Sequence, residues 1–358
     1  MPQYVRGSAA RQAHVGLPPG TVEEEHGRGG FYGRASHLYR RNPPTGWTAI
    51  EGPLRPRAYD LLALTASGRL PEVVLANDDV QVGVWRIEAA PTAFLRDADG
   101  DLVLFVHHGA GRIESDYGTL EYRTGDYVVL PRGTTFRPAP EEPTWLLTIG
   151  TAGEIEPPDR GLLGRHALWD ESVVRIPDVA PHDERGDFDV VVRAQGQLTT
   201  IHYPFHPLDV VGWKGDLCPF ALNVEDLRPV SSHSYHLPPS AHTTLTAHGV
   251  VICSFVPRPL ETAPDAVKVP FYHRNIDFDE VIFYHHGDFV SRAGITPGML
   301  TWHPQGIHHG PHPKAVERAG QRDFTEEIAV MVDTRRPLHA ARSAVGVEED
   351  DYWASWQE

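Results

Sequence analysis

Apolar and polar positions alternate in short runs along most of this chain, and period-two alternation over four to eight residues marks strands with one buried face. Val84-Trp85-Arg86-Ile87, Leu102-Val103-Leu104-Phe105-Val106, Gly118-Thr119-Leu120-Glu121-Tyr122, the segment after Gly125-Asp126, and Trp145-Leu146-Leu147-Thr148-Ile149 read as strands of a first half. His242 to Ala247, Val250 to Val256, Val281 to Tyr284, Gly298 to Trp302 and Glu326 to Asp333 read as strands of a second. Pro138 to Pro143 reads as a turn cluster, Asn223 to Arg228 as a loop, and Ala315 to Asp323 as one short helix.

The two halves repeat one another. Asp101-Leu-Val-Leu-Phe-Val-His-His-Gly109 echoes Asp279-Glu-Val-Ile-Phe-Tyr-His-His-Gly287. Gly125-x5-Pro131-x-Gly133-x2-Phe136 echoes Gly298-x5-Pro304-x-Gly306-x2-His309. Aligned this way, Leu102 falls where Glu280 stands and Phe136 where His309 stands. The first copy keeps the glycines and prolines that shape turns and lacks the polar side chains of the second.

Those polar side chains suggest chemistry. The stretch Phe271 to Pro313 holds seven histidines, and His273, Glu280 and His309 offer two imidazoles and a carboxylate. Such a set suits non-heme Fe(II) with open positions for substrate and O2, and the same atoms also suit catalytic zinc. Glu280 and Asp279 are neighbours, so a strand points them to opposite faces. On the residues alone either could be the ligand; a resemblance to cupin motifs, whose spacing to Gly287 matches, implies Glu280, with Asp279 the alternative.

The paired blocks resemble the cupin metal motifs. The words YHRN at Tyr272 to Asn275, GWKG at Gly212 to Gly215, YHLPPS at Tyr235 to Ser240 and HGP at His309 to Pro311 resemble bacterial homogentisate 1,2-dioxygenases, as do QAHVGLPPG, EEEHGRGGFYGR and PPTGWTAIEGPLRPRAYD near the N-terminus. The resemblance implies an all-β bicupin with few short helices, one barrel blind and one working. The expected divisions are an extended N-terminal arm over 1–60 that could wrap another subunit, a degenerate barrel over 61–160, a bridge over 161–195, a metal-binding barrel over 196–340 and a tail over 341–358.

It further implies Fe(2+) as cofactor. His236 is expected as the acid/base for a ring hydroxyl, His303 as a catalytic group facing substrate, and Asn275 as a residue orienting a ligand. The chain departs from the family at Phe271, His286 and Phe289. Phe271 and Phe289 are expected to line the substrate site, but they cannot hold the substrate carboxylate as the family's tyrosines do, which leaves Arg292 or Lys214 for the anion. The implied reaction inserts both atoms of O2 into a para-dihydroxy aromatic acid, homogentisate going to maleylacetoacetate in tyrosine and phenylalanine catabolism. A gentisate-like dioxygenase, a zinc or manganese isomerase or hydrolase, and a non-enzymatic binding bicupin are the alternatives. A trimer or hexamer is implied as well.

Composition narrows this picture only at its edges. A chain of 358 residues with 33 Gly and 32 Pro fits two turn-rich β domains, and a net charge of -16 argues against nucleic acid or an anionic membrane as partner. Two cysteines, Cys218 and Cys253, suggest no disulfide scaffold. Without an apolar leader or long apolar run, a reducing cytoplasm is the expected setting.

Overall fold

The structure is a computed structural model that describes residues 4–64, 69–158, 168–268, 271–289, 292, 294–313 and 322–357. Strands dominate it. The fully described helical segments are 3-10 turns of three to six residues. The short helix expected at 315–323 falls largely outside the described residues. Among the described residues no helix is long and apolar enough to cross a membrane.

The strands build the bicupin expected. In the first barrel, one sheet runs Phe220–Asn223, Asp126–Leu130, Asp101–His108, Thr144–Thr151, Val80–Ile87, Glu72–Ala76 and His339–Ala340 in spatial order. The other runs Gln197–Phe205, Arg185–Ala194, Phe94–Asp97, Thr135–Pro140, Ala110–Ser115 and Gly118–Arg123. In the second barrel, a six-stranded sheet runs Thr243–Ala247, Val250–Phe255, Ile328–Thr334, Asp279–His286, Met299–His303 and Arg57–Asp60. A three-stranded sheet of Tyr272–Asn275, Val22–Gly27 and Ala35–Arg40 accompanies it.

These sheets divide the chain differently from the five expected segments. Residues 185–223, expected in the bridge and the second barrel, pair with first-barrel strands. The 22–40 region is a hairpin laid parallel onto Tyr272–Asn275 of its own chain rather than an arm reaching outward. Arg57–Asp60 and His339–Ala340 each join the barrel remote from them in sequence. Backbone N–H and C=O groups of an edge strand need partners, and here each barrel finds them in the other's flanking segments. The turn expected over 138–143 is also shorter. Thr135–Pro140 is a strand, and Pro138 is tolerated because beyond Phe136 the strand is paired on one side only.

Strand parity explains the packing. On Asp101–His108, Val103 and Phe105 join a core shared by both barrels, while Leu102, Leu104 and Val106 fill the first barrel's interior. On Asp279–His286, Val281 and Phe283 enter the shared core, and Ile282 and Tyr284 face the second interior. The rings of Trp145 and Phe283 stack across the junction at 5.4 Å, and the Tyr127 and Ser254 hydroxyls meet at 2.8 Å. The repeated turns match in backbone as well as in sequence: Gly109 and Gly287 have φ of 111° and 98°, and Gly133 and Gly306 both 84°.

A side chain at Gly109 would be strained twice over. Its φ is one L-residues avoid, and an added Cβ would lie 2.8 Å from Thr144 Cα. Gly109→Ala is expected to lower the unfolding free energy by about 1–3 kcal/mol, read from urea denaturation. Gly346→Ala, where a Cβ meets open space, should change it little.

Candidate metal centre

Parity also aims the chemistry. With Ile282 and Tyr284 on the interior face, Glu280 points into the second barrel and Asp279 points the other way. Asp279 is fully engaged there. Its Oδ2 accepts from Trp302 Nε1 and from the Leu338 N–H, both at 2.9 Å, and its Oδ1 accepts from the Gln305 N–H at 2.9 Å.

Inside the barrel, His273 and His309 are held opposite each other by reciprocal backbone hydrogen bonds of 2.9 and 3.1 Å. Their Nε2 atoms each lie 3.4 Å from Glu280 Oε2, and the three ligand atoms fall within 4.8 Å of one another. All three side chains are buried. Each imidazole turns Nδ1 toward a carbonyl two residues back, His273 to Phe271 O at 3.2 Å and His309 to Ile307 O at 3.3 Å. If each Nδ1–H donates there, each Nε2 presents a lone pair to a carboxylate oxygen. His309 Nε2 is buried without a hydrogen-bond partner. Lone pairs converging in a buried site are what a cation satisfies, so these residues fit a divalent metal.

Behind the trio, His303 Nδ1 lies 2.8 Å from Glu280 Oε1, and its Nε2 lies 3.3 Å from the Tyr352 hydroxyl. Burial would push the Glu280 carboxyl up. The imidazoles of His309, His273 and His303 around it outweigh that and hold the group well below the usual carboxylate range. Burial drives His303 down to about 3, so it is neutral and donates one N–H to the carboxylate.

A cavity of about 80 Å³ opens beside His273 and Glu280, lined also by His236, Phe271, Arg292 and Glu327. His236 is buried, and its Nδ1 lies 2.9 Å from Glu261 Oε1. Burial lowers its pKa, against the hydrogen bond and charge of Glu261. Arg292 reaches the cavity from below and donates to Gly310 O at 2.7 Å. Asn275 sits two residues after His273, on the same strand face, and its buried Oδ1 has no hydrogen-bond partner.

Three expected roles are placed elsewhere. His303 supports the carboxylate from behind rather than lining the cavity. Phe289 packs in the core against Tyr284, ring centroids 4.8 Å apart. Lys214 is exposed on a loop whose Trp213 donates to Tyr117 O of the first barrel, so within one chain it does not reach this cavity. Glu261, Glu327 and Tyr352 went unnoticed in the sequence, because no spacing rule ties them to the metal blocks.

Two family models cover most of the chain, "Homogentisate 1,2-dioxygenase N-terminal" over residues 75–224 and its C-terminal counterpart over 226–358. The chain belongs to the homogentisate 1,2-dioxygenase family. The boundary between the family's two halves falls just after Phe220–Asn223, where the sheets also divide the chain. A Saccharolobus solfataricus protein that carries the provisional name of a dioxygenase is 34% identical, with 93% of this chain and 92% of that protein covered. A homogentisate 1,2-dioxygenase of Sinorhizobium fredii is 30% identical over 73% of this chain and 61% of its own length, and one of Rhizobium rhizogenes is 28% identical over 82% and 66%. The chain thus spans just under two thirds of the length of either named homogentisate dioxygenase. A solved Leptotrichia buccalis cupin is 9% identical, with 78% of this chain and 96% of that one covered and a TM-score of 0.33. That overlap is too loose to carry weight beside the sheets themselves.

Glu280→Gln is expected to cut bound metal by at least ~10-fold, since even losing an outer partner of a metal ligand costs about that much, and to leave the fold intact. Asp279→Asn should keep the metal and cost about 2–3 kcal/mol of stability. Metal analysis after Fe(II) loading and urea melts of both variants check this, and the opposite pattern would make Asp279 the ligand.

Proposed function

We propose that this family member is an Fe(II)-dependent ring-cleaving dioxygenase for a para-dihydroxy aromatic acid, with homogentisate as the substrate and maleylacetoacetate as the product. The observation that carries the reading is the buried His273–Glu280–His309 cluster with its unsatisfied imidazole nitrogen, inside a chain of this family. Those three side chains would hold the iron. Ferrous iron supplies what the protein cannot: neighbouring positions for O2 and a ring oxygen, and a route for electrons between them.

The remaining work falls to this chain's own groups. His236 is neutral at pH 7, and with Nδ1 held by Glu261 its Nε2 accepts the proton of a ring hydroxyl. Glu261 then steadies the imidazolium that forms. Arg292, inside the cavity, supplies positive charge for the acid group. Phe271 gives an apolar wall for the ring and helps keep water from the reacting carbons. His303 and Tyr352 keep Glu280 from rotating.

The first test is anaerobic Fe(II) loading followed by an oxygen electrode. With homogentisate, uptake of one O2 per substrate without hydrogen peroxide is expected. Activity with gentisate alone would move the substrate, and activity with zinc but no O2 consumption would sink the dioxygenase. His236→Ala is expected to lower kcat by about 10²–10⁴-fold, with iron retained.

The pH profile is a separate check. A depressed imidazole pKa keeps the base neutral to lower pH, so the acid limb of kcat/KM should lie below an ordinary histidine's, near 6.5. Glu261→Gln removes the partner that raises this pKa, and the limb should then move lower still. A limb above 7 in the wild type would contradict His236 as the base.

A further inference from the structure

A second group of potential ligands lies outside the centre described above. The Val22–Gly27 and Ala35–Arg40 strands pair antiparallel with Glu25 opposite His37. Glu23 and Glu25, two residues apart, share one strand face. His14 arrives from the preceding loop, with a left-handed backbone of φ 61°, a conformation for which histidine is enriched. Its backbone N–H and its ring both bind Glu23 Oε2, at 2.9 and 2.8 Å. Its Nε2 then faces Glu25 Oε2 at 3.9 Å. On the other side, Glu23 Oε1 and His37 Nδ1 lie 3.5 Å apart, and neither has a hydrogen-bond partner. Glu23, Glu25 and His14 are buried, and His37 is half-buried.

We propose that His14, Glu25 and His37, with Glu23 beside them, form a second binding site for a divalent first-row transition ion such as zinc. The donor atoms of His14, Glu25 and His37 fall within 4.8 Å of one another, and two imidazoles with a carboxylate are a zinc donor set. Two buried glutamates carry charge that a dication would neutralise, and the hydrogen bonds from His14 leave Glu23 Oε1 without a partner. His37 Nδ1 is buried without a hydrogen-bond partner, so it has a lone pair to offer an ion. Its partial exposure gives an ion a way in.

The place of the site gives it a structural role. Glu25 also lies opposite His273 in the parallel pairing, and the His14 ring is 4.7 Å from that of Phe271. An ion here ties the N-terminal loop to both strands of the hairpin and holds that hairpin against the wall of the catalytic cavity. This inference is independent of the dioxygenase reading, because it concerns different ligands and needs no turnover.

The test uses full-length protein stripped with chelator and dialysed against Zn2+ alone, with zinc per chain counted after removal of free ion. Wild type is expected to bind at least two ions. His37→Gln and, separately, His14→Gln should each lower the count by one and abolish part of the zinc-dependent rise in Tm. His309→Ala should also lower it by one, and His309→Ala combined with His37→Gln by two. A count that neither His37→Gln nor His14→Gln lowers in folded protein overturns the second site, whatever the wild-type total. Failure of the His309→Ala arm alone would instead count against the catalytic centre.

Discussion

A buried carboxylate is the constraint from which the second barrel follows. An isolated buried charge costs several kcal/mol, and Glu280 survives because imidazoles surround it. His273 and His309 face one oxygen, and His303 donates to the other. Everything that positions those three rings serves that end, from the reciprocal backbone bonds between His273 and His309 to the Tyr352 hydroxyl behind His303. The first barrel shows the same frame without the charge. Leu102 and Phe136 occupy the corresponding interior places and pack with Leu104, Val106 and Ile113. One scaffold therefore accepts either an oily interior or a polar one, provided the polar set is complete.

Much of this could be read from the letters, because it depends on period two and on glycine. Alternation located the strands, and the internal repeat located the turns, whose matching φ values show that the same backbone is built twice. The neighbouring pair Asp279-Glu280 could be separated by parity alone, once the interior face was known. What could not be read is who pairs with whom across long distances. Nothing in His339–Ala340 or Phe220–Asn223 announces the sheet it completes, since register between remote strands is set by packing rather than local pattern. Glu261, Glu327 and Tyr352 were missed for the same reason. Each reaches the cavity or its supports from a segment with no motif of its own.

Lys214 and Phe289 show the opposite error. They were expected at the substrate because they stand near recognisable words, but nearness in sequence is weak evidence of nearness to a cavity. Phe289 is core packing, and Lys214 belongs to a loop seated on the first barrel. Arg292, three residues beyond Phe289, is instead turned inward. The Asp279-Glu280 dipeptide illustrates how tightly roles are divided: one carboxylate serves the centre, while its neighbour ties Trp302, Gln305 and Leu338 together on the far side.

The exchange of flanking strands bears on how such a chain can come into being. The first barrel's main sheet takes its last strand from His339–Ala340, and the second takes an edge from Arg57–Asp60. During synthesis on a ribosome, the early barrel must therefore wait with one border open until His339–Ala340 has emerged, long after its own strands. The later barrel meanwhile draws on residues made long before it. Neither half can be cut away as a free-standing module without leaving a raw edge. Inheritance of the blind barrel alongside the working one then needs no catalytic justification, because each is part of the other's wall.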